Sequence, residues 1–266
     1  WRDVAEKTAP IINYARENGL HALFFPYDTT RARKEDLTNL CGYIMDNAPP
    51  DSIGIVDTMG CATPEAIKHM VRWVNDMTGL PIEIHTHNDF GMGVATELAA
   101  VTAGAVCVHS CANGLGERTG NAALEELMMG LHLLYGYDTN YRLDKIPELA
   151  EMIAAKSNIP IARNKPVLGH GNFIRESGIG INYVMNDPLV MFATHPSLTG
   201  KIGEVVLGKK SGKASIIYKM GELGLGELDD EKIAKILDEV KATGIAKRDV
   251  LSNEEFVNIV TTVKTY

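Results

Sequence analysis

Two histidines close a short alternating run, and their spacing is the first feature that could do chemistry. In residues 81–88, which read PIEIHTHN, one residue separates His85 from His87. Successive side chains of a β-strand point to opposite faces, so a strand here would project both imidazoles to the same side. Two such imidazoles can bind one metal ion. Two histidines that are merely satisfied by neighbouring side chains are the alternative, and the spacing alone leaves both open.

A glycine-rich stretch carries further candidate groups. Residues 112–126 read ANGLGERTGNAALEE and combine three glycines, one arginine, a glutamate beside it and two asparagines. Such a composition suits a loop whose backbone must approach a ligand closely. A solvated turn with a helix cap at Asn121 is the alternative interpretation.

The elements that must position these groups alternate between strand and helix. Thr63, which precedes Pro64, predicts a helix start with the hydroxyl as N-cap. Alternation at this spacing predicts a parallel sheet, either doubly wound or closed as a barrel. The carboxyl ends of parallel strands are where α/β folds place their chemistry. The predicted strands are residues 21–28, 52–60, 82–89 and 105–114, each followed by a helix-periodic stretch.

The rhythm changes after Gly136, where the strand-helix alternation ends. Residues 164–188 are rich in Gly and Asn, a basic loop reading VVLGKKSGKASI follows, and two amphipathic helices close the chain. The second of these begins on a capping box formed by Ser252 and Glu255. We therefore predict an α/β part over residues 1–140 and a small, mostly helical part over residues 141–266.

Composition narrows the class of function. The 266 residues carry a formal charge of −8 and a pI near 5.5, which argues against a nucleic-acid or anionic-membrane surface. A chain of this length buries roughly 70–75% of the surface its unfolded form would expose, so the core needs no disulfides. The four cysteines lack paired CxxC spacing and are interpreted as reduced thiols. Without a long apolar run or a signal-peptide pattern, a cytoplasmic protein acting on small molecules is expected.

Three longer motifs occur in a fixed order: VDTMGCATP, HTHNDFGMGVATELAAVTAGA and NGLGERTGNAALEEL. Together they resemble the metal-dependent acyltransferases that include 2-isopropylmalate, homocitrate and citramalate synthases. These belong to a wider group of TIM-barrel metallolyases that also contains hydroxymethylglutaryl-CoA lyase. The resemblance implies a (β/α)8 barrel. Residues 1–140 would supply its strands five to eight, without the N-terminal half, and residues 141–266 a synthase-like C-terminal subdomain.

The resemblance also assigns roles to individual residues. It implies that His85, His87 and Asn121 hold a divalent ion, which the ligand set leaves open as Mn, Zn, Mg or Co. Such an ion can chelate a 2-oxo acid and make its carbonyl carbon electrophilic. By the same resemblance Thr58 contacts the substrate carboxylate, and Glu117 and Arg118 lie beside the metal as catalytic candidates. Further substrate-binding candidates come from the same glycine-rich loop: Asn113, Gly114 and Gly116.

The sequence departs from the synthase pattern at positions that bear on catalysis. Tyr27 stands where the family usually has a glutamate, and it is a catalytic candidate as a hydrogen-bond donor to a developing oxyanion. Gly180 replaces the histidine of an SGIH motif, and Arg175 replaces a second histidine. Two histidines of the same region are candidate substitutes: His170 and His195.

The leading hypothesis is a Claisen-type condensation of an acyl-CoA, with acetyl-CoA as cosubstrate, and a 2-oxo acid. Thioester hydrolysis would then release a 2-hydroxy di- or tricarboxylate, as expected in amino-acid biosynthesis. The alternatives are an aldol-type metallolyase and a non-catalytic homologue acting through subunit association. A homodimer is expected. Because the chain opens on Trp1 and lacks the Arg-Asp strand of the family, further sequence is expected before it.

Overall fold

The structure is a computed structural model that describes residues 1–265, apart from the side chains of Asn182, Val184 and Met185. The chain divides into two compact units. Unit 1 comprises Trp1–Tyr141 and Leu149–Ile159, and unit 2 comprises Arg142–Glu148 and the chain from Pro160 onward.

Unit 1 is built on a four-stranded parallel sheet. Its strands are β1 (Leu23–Phe24), β2 (Ser52–Asp57), β3 (Ile82–Thr86) and β4 (Cys107–His109), hydrogen-bonded in that order. The predicted parallel sheet is confirmed. Each strand is shorter than the run that predicted it, because the carboxyl-terminal residues of each run leave the ladder and form loops.

Helices precede, connect and follow these strands. They are α1 (Arg2–Glu17), α2 (Lys34–Asn47), α3 (Pro64–Thr78), α4 (Gly93–Ala103) and α5 (Leu124–Met129), which continues as a π-helical turn over Gly130–Leu134. The predicted start of α3 is confirmed, since the Thr63 hydroxyl accepts a hydrogen bond from the Ala66 amide at 3.2 Å. The next helix, α6 (Ile146–Ser157), begins in the unit 2 segment and ends in unit 1.

The core of unit 1 lies between the sheet and its helices. In β3 the side chains of Ile82, Ile84 and Thr86 are buried, whereas Glu83 and His85 are only partly buried. Burial of each isoleucine contributes roughly 1.5–3 kcal/mol, which fixes this face against the helices. The opposite face of the sheet therefore presents the polar side chains. The buried core includes Ile53, Ile55, Ile67, Val71, Val74, Ile82, Ile84 and Ala100.

Unit 2 is mostly helical and has its own core. Its helices are α7 (Ile181–Asn186), α8 (Lys213–Glu222), α9 (Asp230–Lys247) and α10 (Asn253–Thr265), and β5 (Ile174–Arg175) pairs in parallel with β6 (Glu204–Val205). The predicted capping box is confirmed: the Glu255 amide donates to Ser252 Oγ at 3.2 Å, and the Ser252 amide donates to Glu255 Oε2 at 2.6 Å. The core consists of Leu207, Ile216, Met220, Ile233, Ile236, Val240, Leu251, Phe256 and Val260.

The four cysteines Cys41, Cys61, Cys107 and Cys111 are free thiols. Over residues 1–265, the helices are too short or too polar for any of them to span a bilayer.

Candidate metal and substrate site

The two histidines lie at the carboxyl end of β3. His85 is within the strand and His87 directly follows it. Their ring centroids are 5.2 Å apart at an interplanar angle of 77°. The side-chain alternation that buries Ile84 and Thr86 against the helices thus leaves both imidazoles on the polar face.

Asn121 is brought to this pair from the loop after β4. An isolated antiparallel bridge joins His87 to Asn121, and the Asn88 amide donates to the Gly120 carbonyl at 3.0 Å. The Asn121 side-chain nitrogen donates to the Thr86 carbonyl at 3.1 Å and lies 3.2 Å from His85 Nε2. Backbone pairing therefore collects three candidate ligands that are distant in sequence.

The electrostatics of the two imidazoles suit a cation. Burial lowers the pKa of His85 to about 4, with further lowering from His109 and His87, so the His85 ring is neutral at physiological pH. His87 is 8% exposed, and its Nδ1 atom has no hydrogen-bond partner among the described residues. An unpartnered buried polar atom costs roughly 1–3 kcal/mol. A metal ion accepts lone pairs from neutral imidazoles, so these residues fit the ion that the sequence predicts.

The glycines of the loop after β4 make room for this asparagine. A Cβ atom on Gly116 would lie 2.1 Å from Asn121 Oδ1. A Cβ atom on Gly120, whose φ is +90°, would lie 1.8 Å from the Gly114 carbonyl oxygen. The loop backbone thus approaches the Asn121 side chain closely at Gly116, whereas the predicted approach to a ligand stays a prediction. The alternative that Asn121 caps a helix is wrong, because α5 has Ala123 at its N-cap.

Arg118, in the loop after β4, contacts the loops after β2 and β3. Its Nε and a terminal nitrogen donate to the two carboxylate oxygens of Asp89 at 2.8 and 2.9 Å. The terminal nitrogen also donates to the Thr58 carbonyl at 2.5 Å. Gly60 permits the contact, since a Cβ there would lie 2.6 Å from the Asp89 amide nitrogen and 2.8 Å from the His87 carbonyl oxygen. The loops after β2, β3 and β4 are held in one arrangement around the histidines.

Two candidate catalytic side chains are largely exposed, and one of them contacts Arg118. Glu117 is 80% exposed in its side chain, with its carboxylate 3.6 Å from the Arg118 guanidinium. Tyr27 is 75% exposed. Asp89 is the main cause of the raised pKa of Arg118, and the charges of Glu117 and Tyr27 add to it.

Three predicted substrate-binding residues have structural roles. Thr58 is buried, and its Oγ1 accepts a hydrogen bond from the Asp28 amide at 2.9 Å. Asn113 adopts a left-handed backbone with φ of 59°. Its side-chain amide donates to the Ala150 carbonyl at 2.9 Å. Gly114, the third, has φ of 69° and completes the turn that Asn113 begins.

The other histidines that the sequence singled out are in unit 2. His170 is exposed, and His195 Nδ1 lies 2.7 Å from Ser197 Oγ, where it caps a short 3-10 helix. Gly180 has φ of +76°, a conformation that favours glycine and strains a histidine.

Sequence reasoning missed Glu97, an acid within the otherwise apolar helix α4. Glu97 is fully buried, and its Oε1 accepts hydrogen bonds from the Thr86 amide at 3.3 Å and the Thr86 hydroxyl at 3.2 Å. Burial raises its pKa to about 9, despite these hydrogen bonds, so the carboxyl is protonated at neutral pH. It supports the strand residue between the two histidines. A lone acid in the apolar run GVATELAAV was the available signal.

A further polar cluster was also missed. Glu83, Cys107 and His109 place one candidate ligand atom each within 4.8 Å of one another. These residues precede or flank the histidine pair on the same face of the sheet, and their alternation in the sequence was the available signal.

Comparison with known proteins identifies relatives over nearly the whole chain. The chain is 36% identical to homocitrate synthase AksA of Methanopyrus kandleri over 242 residues, which cover 91% of this chain and 60% of that protein. It is 33% identical to (R)-citramalate synthase CimA of Methanocaldococcus jannaschii, covering 91% and 49%. The 2-isopropylmalate synthase of the same organism is 34% identical, covering 93% and 49%. The chain thus spans about half to three fifths of the length of these relatives.

Solved structures support the fold. Hydroxymethylglutaryl-CoA lyase from Pseudomonas aeruginosa superposes with a TM-score of 0.52 at 18% identity, covering 60% of this chain and 57% of that one. HMG-CoA lyase from Bacillus subtilis gives 0.51 at 22% identity, covering 60% and 58%. Both likenesses concern the fold alone. The HMGL-like family profile matches residues 1–153, and the chain therefore belongs to the HMGL-like family.

Proposed function

We propose that this chain is part of an acyltransferase that condenses an acyl-CoA, with acetyl-CoA as the cosubstrate, and a 2-oxo acid. The observation that carries the proposal is the convergence of His85, His87 and Asn121 at the carboxyl ends of β3 and β4, with His87 Nδ1 unpartnered among the described residues. Relatives named as homocitrate, citramalate and 2-isopropylmalate synthases support the reaction type.

In this proposal His85, His87 and Asn121 hold a divalent ion. When bound, the ion would act as a Lewis acid on the keto oxygen of the 2-oxo acid. The chain's own contribution is a His85 imidazole that burial keeps unprotonated, and an Asn121 amide that the Thr86 carbonyl orients. Glu97 supports this strand from the helix side through Thr86.

The loops after β1, β2 and β4 would position the organic substrates. We assign Thr58 and the turn of Asn113, Gly114 and Gly116 to the 2-oxo acid. The Arg118 guanidinium, which donates two hydrogen bonds to Asp89, would supply positive charge beside the carboxylate of the 2-oxo acid. Tyr27 would donate a hydrogen bond to the oxyanion as it forms.

The bonds and protons of the reaction balance without an oxidant. A base removes a proton from the thioester methyl group, and the resulting carbon bonds to the keto carbon, whose oxygen gains a proton. Water then cleaves the thioester, which releases CoA and a 2-hydroxy dicarboxylate or tricarboxylate. Among the acidic residues of this site, Glu117 is the candidate for general acid–base catalysis, because its exposed carboxylate lies beside Arg118.

We also propose that β1–β4 correspond to the last four strands of a (β/α)8 barrel and that the remaining strands complete it. The parallel order of the strands and the partial span of the relatives support this assignment. Residues 141–266 would form the C-terminal subdomain of a cytoplasmic homodimer, with one protomer's subdomain completing its partner's site.

Metal content and CoA release test the proposal together. The protein is assayed with acetyl-CoA and a panel of 2-oxo acids, with product identification, as wild type, His87→Ala and the control His69→Ala, an exposed residue of α3. We expect His87→Ala to lose one equivalent of bound metal and all CoA release, and His69→Ala to keep both. Full metal content and turnover in His87→Ala would overturn the assignment. Cleavage of a hydroxyacyl-CoA without condensation would favour a lyase instead.

A further inference from the structure

Three side chains of different chemistry meet on the polar face of the sheet, below the histidine pair. In the β3–β4 register Glu83 pairs with Cys107, and His85 pairs with His109. The His109 ring reaches back along the strand, so that its Nε2 lies 3.0 Å from Glu83 Oε2. The Cys107 sulfur completes a group whose ligand atoms all lie within 4.8 Å of one another.

Neighbouring residues hold two of these groups in place. The buried Ser52 hydroxyl donates to Glu83 Oε1 at 2.6 Å, which leaves Oε2 directed at His109. The Phe25 ring stacks on the His109 ring, with centroids 5.6 Å apart and an interplanar angle of 15°. Partners of this kind orient the ligands of metal sites.

The Cys107 thiol also hydrogen-bonds the Glu83 carboxylate, so the three side chains form one connected polar group. Ser52 and His109 already satisfy the Glu83 carboxylate, and a thiol is a weak donor. An ionised Cys107 beside Glu83 would place two negative charges together, and Glu83 accordingly contributes to a raised pKa of the Cys107 thiol, after burial. A divalent cation removes this conflict, because it neutralises one carboxylate and one thiolate.

We propose that Glu83, Cys107 and His109 form a second metal site, selective for a thiophilic divalent ion of the Zn²⁺ class and separate from the His85, His87 and Asn121 site. Thiolate, imidazole and carboxylate are the three ligand types that zinc binds in proteins. Binding replaces the proton of the Cys107 thiol, which leaves to solvent. The proposal is independent of the acyltransfer reaction.

Cobalt(II) tests the site, because a cobalt-thiolate bond gives a near-ultraviolet charge-transfer band that nitrogen and oxygen ligands do not give. The whole chain is titrated with Co²⁺ in the His87→Ala background, which removes one ligand of the first site. We expect the band to saturate at one equivalent of Co²⁺ and to be bleached by equimolar Zn²⁺. Absence of the band from this protein would overturn the proposal.

Serine variants identify the sulfur ligand. Cys107→Ser should lose the band, whereas Cys61→Ser, a matched exposed thiol, and Cys111→Ser should keep it. Loss of the band in Cys111→Ser only would assign the metal to the Asn121 region, because Cys111 Sγ lies 3.7 Å from Asn121 Oδ1, and would overturn the proposal. Ser52→Ala should weaken Zn²⁺ affinity by about 10- to 100-fold, as loss of a ligand-orienting partner does.

X-ray absorption identifies the sulfur ligand without the serine variants, so the result does not depend on whether those variants fold. Zn²⁺ bound to the His87→Ala chain should show one sulfur neighbour at about 2.3 Å together with lighter ligands. A shell of nitrogen and oxygen only would contradict the assignment.

Discussion

Arg118 and Asp89 form a bidentate ion pair, with N–O distances of 2.8 and 2.9 Å, across loops that are 29 residues apart. The pair belongs to the loops after β3 and β4, and the contact of Arg118 with the Thr58 carbonyl adds the loop after β2. The hydrogen bonds from Arg118 are the main cause of the lowered pKa of Asp89, so the ion pair favours the ionised carboxylate. The arrangement of the site therefore depends on an ion pair in which one partner, Arg118, is also a predicted catalytic residue.

Arg118→Lys should lower activity, by releasing the loops that position the site, without lowering thermal stability. Lysine keeps the charge but cannot reproduce the two parallel hydrogen bonds, so the loops lose their fixed arrangement. We expect kcat/KM for CoA release to fall by about 10- to 100-fold, because small displacements of reacting groups are costly. The thermal midpoint should stay near that of the wild type.

Arg142 provides the matched control for this substitution. It forms a bidentate pair with Asp144 in unit 2, with distances of 2.8 and 2.7 Å. Arg142→Lys should leave kcat/KM unchanged, and equal losses in the two variants would show that the Arg118 pair has no special role.

Gly116→Ala should disturb Asn121. The added Cβ would lie 2.1 Å from Asn121 Oδ1, so the side chain must move away from the histidines. We expect about 1–3 kcal/mol of destabilisation, typical of overpacking, and about 10- to 100-fold weaker metal binding. Calorimetric metal titration and thermal unfolding measure the two effects.

Gly42 is the control glycine, since it lies inside α2 with no atom within 4 Å of an added Cβ. Gly42→Ala should stabilise the protein by about 0.5–1 kcal/mol and leave metal binding unchanged. Unchanged metal affinity in Gly116→Ala would show that Asn121 is not a ligand.

Glu97 should make stability fall as pH rises. Its folded pKa of about 9 lies above the ordinary value of 4.5, so between these values the folded state binds a proton that the unfolded state releases. The free energy of unfolding should therefore decrease from about pH 4.5 to about pH 9. Glu97→Gln removes this titration, and its denaturation midpoint should vary less over the same range.

An exposed acid controls for general charge effects in that experiment. Glu65 lies in the first turn of α3, and Glu65→Gln should keep the slope of the wild type. A wild-type slope in Glu97→Gln would place the titrating group elsewhere.

Tyr27→Phe tests the oxyanion role of the phenol. The side chain is 75% exposed, so its stability effect should stay within about 0.5 kcal/mol. Loss of an oxyanion donor typically costs about 10²- to 10³-fold in kcat, and we expect a loss of that order in CoA release. Tyr14→Phe, at a similarly exposed position of α1, should have no effect. Equal activity in the two variants would leave Tyr27 without a catalytic part.

The molecular mass of the active protein in solution tests the homodimer proposal. Sedimentation equilibrium of the active protein at micromolar concentration should give twice the protomer mass. Mixing a His87→Ala protomer with one truncated before residue 165 should restore part of the activity, if one protomer's subdomain completes the other's site. An active monomer would contradict the proposal.

Local patterns in the sequence determined several features correctly. The alternation of residues 82–87 places His85 and His87 on the polar face, because side-chain direction in a strand depends only on the period of the backbone. The helix caps at Thr63 and Ser252 were also predicted correctly, since each depends on a hydrogen bond between residues only three apart in the sequence.

The tertiary structure decided the contacts between elements. Strand register sets Glu83 beside Cys107 and turns His109 toward Glu83, and the sequence carries no signal of that register. The glycines of the loop after β4 predicted a close approach to a ligand, and only the structure shows that the Asn121 side chain approaches Gly116. Burial of Glu97 likewise depends on which face of α4 meets the sheet. Sequence thus fixes what each residue can do locally, whereas long-range packing decides which partner it meets.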